Sequence, residues 1–210
     1  MPLVRTIPIV TIDNTPQGIT TDGKYLWWIG SENFNIYQMD KLGNLIRTIP
    51  IVTIDNAPQG ITTDGKYLWW IGRENNNIYQ MDKLGNLIRT IPIGAIDIYP
   101  IGITTDGKYL WWTGLINSNI YQMDKLGNLI RTIPMGAIDA FNYGITTDGK
   151  YLWWIGSQND NIYQMDKAGN LIRTIPVGAI DSVPTGITTD GKYLWWTGSQ
   201  NGIIVQWTKS

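Results

Sequence analysis

The 210-residue chain contains no cysteine and no histidine. Without cysteine there is no disulfide, thiol nucleophile or thiolate ligand. Without histidine there is no imidazole base, so Cys/His zinc sites and Ser-His-Asp or Cys-His arrangements are excluded. Acid–base chemistry would fall mainly to carboxylates, and only two of these are glutamates, Glu32 and Glu74. Sixteen basic residues against seventeen acidic ones leave a net charge of −1. No basic run occurs along the chain, so nucleic-acid binding by phosphate neutralisation is not expected. No apolar run approaches the roughly 20 residues of a membrane span, and no leader pattern opens the chain. The chain reads as soluble, with no membrane partner, cofactor or metal indicated. Its compartment is not indicated, because a closed repeat protein of this size can bury a large core without disulfides.

What the sequence does have is one 42-residue unit written five times. The phrase GITTDGKYLWW starts at Gly18, Gly60, Gly102, Gly144 and Gly186, with no insertion between copies. Such a period makes the single unit the folding question. In the first unit, residues 18–22 are a short β-rich run, and Asp22-Gly23 is a tight-turn signal. Residues 25–30 (YLWWIG) form a second strand and residues 31–35 a polar loop. Residues 36–40 form a third strand, residues 41–44 a turn around Gly43, and residues 45–49 a fourth strand. No stretch keeps a helical period.

Four short antiparallel strands per 42 residues predict a propeller blade. Along the second strand Tyr25, Trp27 and Ile29 share one face, while Leu26, Trp28 and Gly30 share the other. Both faces are apolar, which suits a sheet stacked between two neighbours. The Trp pairs are therefore expected in the core, not as sugar-stacking platforms. The small, polar first strand suits the crowded centre of a ring. Residues 3–7 (LVRTI) repeat the fourth strand, and the chain ends after a third strand. Pairing the two hides a sheet edge and closes the ring. The prediction is an all-β, five-bladed β-propeller over residues 1–210 as a single domain and a monomer, with residues 3–7 completing the last blade.

The pattern GITTDGKYLWWIG…NIYQMDKLGNLIRTI resembles NHL-type and related propeller blades. Two enzyme families with similar blades are the streptogramin-type lyases and the five-bladed glutaminyl cyclases. The first relies on a histidine, and the second on a glutamate near the channel, where this chain has threonines. The resemblance implies blade architecture and no particular activity.

The five copies differ mainly in two windows. The first comprises residues 14–17, 56–59, 98–101, 140–143 and 182–185. The second comprises residues 31–34, 73–76, 115–118, 157–160 and 199–202. Connections in an up-and-down blade alternate between its ends, so both windows map to one face of the disc. The nearly unvarying Asp-Gly-Lys and Lys-Leu-Gly-Asn turns map to the other. Phe34, Tyr99, Ile101, Leu115, Ile116, Phe141 and Tyr143 recur as apolar or aromatic changes on the variable face. They read as recognition anchors, with Glu32, Glu74, Gln158 and Gln200 as polar neighbours. Asp22 and its four copies could ring a channel mouth, but turn capping is the expected role. Asp13 and its copies are expected to anchor loops.

The leading expectation is a propeller that binds a protein or peptide through this face and performs no chemistry. A multivalent lectin is the first alternative, and would reuse the unvarying Asn33, Asn75, Asn117, Asn159 and Asn201. A repeat scaffold without a specific ligand is the second. The first two copies share IVTIDN and the last three share GAID. This grouping reads as a duplication history in a natural amplified repeat, with deliberate assembly of such blades as the alternative.

Overall fold

The structure, a computed structural model, describes residues 3–209. These form twenty strands and, among the described residues, no helix. Strand β1 is Leu3–Pro8. The first blade follows as β2 (Pro16–Thr21), β3 (Tyr25–Gly30), β4 (Asn35–Asp40) and β5 (Leu45–Pro50). The second blade is β6 (Pro58–Thr63), β7 (Tyr67–Gly72), β8 (Asn77–Asp82) and β9 (Leu87–Pro92). The third is β10 (Pro100–Thr105), β11 (Tyr109–Gly114), β12 (Asn119–Asp124) and β13 (Leu129–Pro134). The fourth is β14 (Asn142–Thr147), β15 (Tyr151–Gly156), β16 (Asn161–Asp166) and β17 (Leu171–Pro176). The chain finishes on β18 (Pro184–Thr189), β19 (Tyr193–Gly198) and β20 (Ile203–Thr208).

Each blade is a four-stranded antiparallel sheet. In the fifth, β1 lies against β20, with Ile7 opposite Ile204. The fold is thus an all-β, five-bladed propeller whose ring is closed by the N-terminal strand. Strand β2 begins at Pro16, two residues before the expected start. Pro16 already opposes Gly30, and an irregularity separates that pair from Ile19 opposite Trp28.

The double apolar pattern of β3 explains the stacking. Trp27 and Ile29 face the next blade, where they meet Ile61, Leu68, Trp70, Tyr79 and Met81. Trp28 faces the preceding blade and stacks on Tyr37 at 4.4 Å between ring centroids. All ten residues of the Trp pairs are at most 1% exposed. Around the axis the inner strands crowd together. A Cβ on Gly18 would lie 2.6 Å from the backbone oxygen of Gln59, and Gly186 meets Gln17 in the same way. Only glycine allows this approach, so the first residue of each GIT phrase sets the radius of the ring.

Polar latches also cross each seam. Asp22 caps its own turn by accepting from the backbone N–H groups of Lys24 and Tyr25 at 3.1 and 2.8 Å. Its second oxygen accepts from Trp27 Nε1 at 3.1 Å and from Lys83 Nζ of the next blade at 2.8 Å. Lys125–Asp64, Lys167–Asp106, Lys209–Asp148 and Lys41–Asp190 repeat the pair, and the last one spans the closure. Burial pushes the Asp22 carboxyl up. The lysine, the Tyr25 amide and the Trp27 indole outweigh burial and hold it below its ordinary value, as they do at the other four copies.

A lowered folded-state pKa means that the folded chain binds fewer protons than the unfolded chain. The latches therefore stabilise fully above the unfolded carboxylate value of about 3.8, and lose their effect as pH falls through it toward the lower folded values. The melting temperature is expected to stay level from pH 7 to 5 and drop below pH 4. A Lys83→Met variant should lose about 2 kcal/mol at pH 7, between the values for exposed and buried pairs. Its deficit against the parent, followed by thermal melts, should shrink below pH 4.

Candidate recognition face

Beneath the variable windows lies a constant polar anchor. Asp13 is 1% exposed, and its carboxylate sits against Gly30, where a Cβ would collide with it. Asp13 accepts from the backbone N–H groups of Thr15 and Asn33 at 3.1 and 3.0 Å and from the Tyr37 hydroxyl at 3.4 Å. It also accepts from Asn33 Nδ2 at 3.3 Å. Asp55, Asp97, Asp139 and Asp181 gather equivalent backbone donors from both windows of their own blades. A carboxylate satisfied in this way can be buried without a counter-cation. The donors in the windows are mainly backbone groups, so the side chains there are free to differ.

The second window ends in a left-handed residue in every blade. Phe34, Asn76, Ser118 and Asp160 have φ of 53°, 50°, 47° and 50°, and Gly202 has 58°. Glycine, asparagine and aspartate suit that conformation, whereas a bulky phenylalanine is strained in it. Each backbone oxygen then accepts from the next connection, as Phe34 does from the Ile51 N–H at 3.0 Å. The two windows consequently lie side by side at one end of every blade.

At the axis on that face is a bowl of about 400 Å³. Its twelve lining residues all come from the two variable windows. Phe34, Ile101 and Tyr143, singled out from the sequence as recognition anchors, belong to this lining. Ile101 is only 5% exposed and lies on the inner strand β10, not in the preceding loop. Gln17, Gln59, Thr185, Ser31, Ser199, Asn56, Ala57, Val183 and Arg73 also line the bowl and were not singled out individually. Their signal was their place in the windows; their side chains alone gave none. Below the bowl the glycine ring narrows the axial space to about 10 Å³.

Arg73 is the one charged residue among those lining the bowl. Its guanidinium stacks 4.6 Å from the Tyr99 ring centroid and donates to the Tyr99 hydroxyl at 2.7 Å. Tyr99 thus acts across the seam between the second and third blades. The other expected residues lie around the bowl without lining it. Ile116 and Phe141 are 59% and 49% exposed, and Leu115 is half-buried. Glu32, Gln158 and Gln200 accept from the backbone N–H groups of Asn14, Ala140 and Ser182, tying one window to the other. Glu74 is exposed beside Arg73. The repeated Asn33, Asn75, Asn117 and Asn159 donate their side-chain amides to the buried aspartates, and Asn201 donates to the Ile180 carbonyl. Among the described residues no group of three or more acidic side chains is placed to hold a metal ion.

No protein-family model matches the chain, and no curated protein matches it in sequence. Solved structures do match in fold. The glutaminyl cyclase of Myxococcus xanthus superposes with a TM-score of 0.81 at 13% identity, covering 98% of this chain and 94% of that one. A catalytically inactive His-to-Ala virginiamycin B lyase from Staphylococcus aureus, bound to quinupristin, gives 0.59 at 22% identity. That match covers 93% of this chain and 66% of the lyase, so the chain spans just under two thirds of the lyase's length. A chain of a nidogen/laminin complex gives 0.66 at 20% identity, with 90% and 74% covered. The chain is a repeat β-propeller like these. The expectation that it performs no chemistry is corrected here, because enzymes stand among its fold neighbours. Identities of 13–22% show the fold alone and assign no activity.

One window residue departs from its copies inside the core. Asn142 occupies the place of Pro16, Pro58, Pro100 and Pro184 and is fully buried. Its Nδ2 donates to the Asn119 carbonyl at 3.2 Å, while its Oδ1 has no partner. Proline fits this backbone in the other four blades. Asn142→Pro should therefore stabilise the chain by about 1 kcal/mol, through lower unfolded-state entropy and removal of the orphaned acceptor. Thermal melts should show a rise of about 2–4 °C; a fall would contradict this reading of position 142.

Proposed function

We propose that the chain binds one non-repeating protein or peptide segment in the bowl of its loop face. The observation that carries this reading is that all twelve lining residues come from the windows in which the copies disagree. Equal sites repeated five times would need equal residues, but this bowl is uneven. Ile101 and Tyr143 form an apolar side, Gln17 and Gln59 supply amides, and Arg73 supplies a cation held in place by Tyr99. Such a mixture suits a ligand with its own sequence, an apolar anchor entering beside Tyr143 and polar groups meeting the amides. A fivefold lectin built on the repeated asparagines has less to offer a sugar, since four of those amides are already spent on buried aspartates. The likeness of each unit to NHL-type blades and the protein partner in the nidogen/laminin complex agree with a peptide-binding face. A monomeric ring closed within one chain leaves the bowl whole.

Peptides selected from a displayed random library on the immobilised protein test the proposal. Their affinity, read by fluorescence polarisation, should fall about 30-fold on Tyr143→Ser, the size of a hot-spot loss. It should stay unchanged on Lys150→Gln, at the opposite end of the same blade. Peptides that bind both variants as well as the parent would refute the site.

A further inference from the structure

The opposite face carries a feature that the linear sequence conceals. Lys24, Lys66, Lys108, Lys150 and Lys192 lie 42 residues apart, so no basic run is visible. The ring gathers them around one end of the axis. Each ammonium stands 4.7–4.9 Å from the ring centroid of the following tyrosine, and none forms an ion pair among the described residues. The other five lysines are committed to the Asp22-type latches.

The second turn of each blade lies at the same end, as the Lys83–Asp22 contact requires. At its tip Leu42, Leu84 and Leu126 are 75%, 68% and 71% exposed, the largest exposures among the large hydrophobic side chains of the described residues. The turns hold them outward. Asp40 accepts from the Leu42 and Asn44 backbone N–H groups at 2.9 Å, leaving the leucine at the apex with nothing to pack on. Alanine occupies this place in the fourth blade.

Charge is divided between the two ends. The turn face and outer strands hold ten lysines and five arginines against nine aspartates, a net of +6. Those aspartates are the five latch carboxylates and the capping Asp40, Asp82, Asp124 and Asp166. Arg5, Arg47 and Arg89 reach toward the same end, donating to the Lys41, Lys83 and Lys125 carbonyls of neighbouring turns. The loop face holds Arg73 against eight carboxylates, a net of −7.

We propose that the turn face docks on an anionic lipid surface, with the free lysines on the headgroups and the leucine tips entering the interface. Basic residues add attraction to acidic headgroups, and exposed apolar side chains add burial that a dissolved polyanion cannot supply. The opposed charge of the two ends orients the disc, leaving the acidic loop face and its bowl turned to water. This inference stands independently of the ligand assigned to the bowl.

Co-sedimentation of the full chain with vesicles tests it, using phosphatidylcholine alone and phosphatidylcholine with 30% phosphatidylserine in about 0.15 M salt. Binding is expected only to the serine-lipid vesicles, with loss in 0.5 M salt. Combined Lys24→Gln, Lys66→Gln and Lys108→Gln should weaken binding about a hundredfold, at about fivefold per lysine. Combined Leu42→Ser, Leu84→Ser and Leu126→Ser should weaken it at least tenfold. Parental melting temperatures for both variants would confirm intact folds, because none of these side chains lies in the core. Tyr143→Ser should bind vesicles like the parent. No binding to acidic vesicles would overturn the proposal. So would binding indifferent to the leucine substitutions, or equal binding to a single-stranded oligonucleotide.

Discussion

The buried Asp13 carboxylate and its four copies are the constraint on which the loop face depends. Each gathers backbone N–H groups from two loops that are well separated in sequence but adjacent in space. Because the carboxylate holds backbone, most of the loop side chains are released from structural duty. This is the physical reason that variation can collect at Thr15, Ala57, Tyr99, Phe141 and Val183 while the loop path stays constant. The arrangement separates two tasks that compete in most surfaces, since the residues that fix the shape differ from those that face the bowl.

The ring itself rests on steric limits more than on specific bonds. Glycine at the first GIT position lets five inner strands converge, and the tryptophan pairs fill the wedge that opens outward between blades. Asp22-type latches then tie each turn to the next blade, including across the closure. Since every seam is nearly the same, the two faces have opposite characters. One end repeats its turns faithfully and multiplies whatever they carry by about five. The other brings five different loop pairs to a single centre. Repetition thus gives the turn face its lysine ring, and divergence gives the loop face its uneven bowl.

The blade was readable from the chain because its signals are local. Asp22-Gly23 marks a turn, and YLWWIG marks a strand apolar on both sides. The match of residues 3–7 to the fourth strand foretold the pairing of β1 with β20. What escaped the sequence was whatever depends on residues of different blades meeting. Arg73 on Tyr99, the Lys83–Asp22 latch and the five free lysines all join positions that are far apart in the chain. Ile101 was placed in the window before the inner strand because that strand was read as starting at Gly102, whereas it already runs from Pro100. The windows in which the copies vary supply the lining of the bowl, although the bowl itself was not foreseen from the chain. The lack of histidine and cysteine supported an expectation of no chemistry that a fold shared with enzymes does not sustain.

The most direct test of the account is to make the loops equal while leaving the anchors alone. The windows of the fifth blade, residues 182–185 and 199–202, would be installed in all five blades, and the melting temperature measured beside peptide binding. Backbone anchoring by Asp13 and its copies predicts a melting temperature within about 4 °C of the parent, a change of roughly 1 kcal/mol, together with loss of the selected peptides. A chain that no longer folds would show that the window side chains carry the structure. Undiminished binding would show that the uneven bowl is not what the ligand reads.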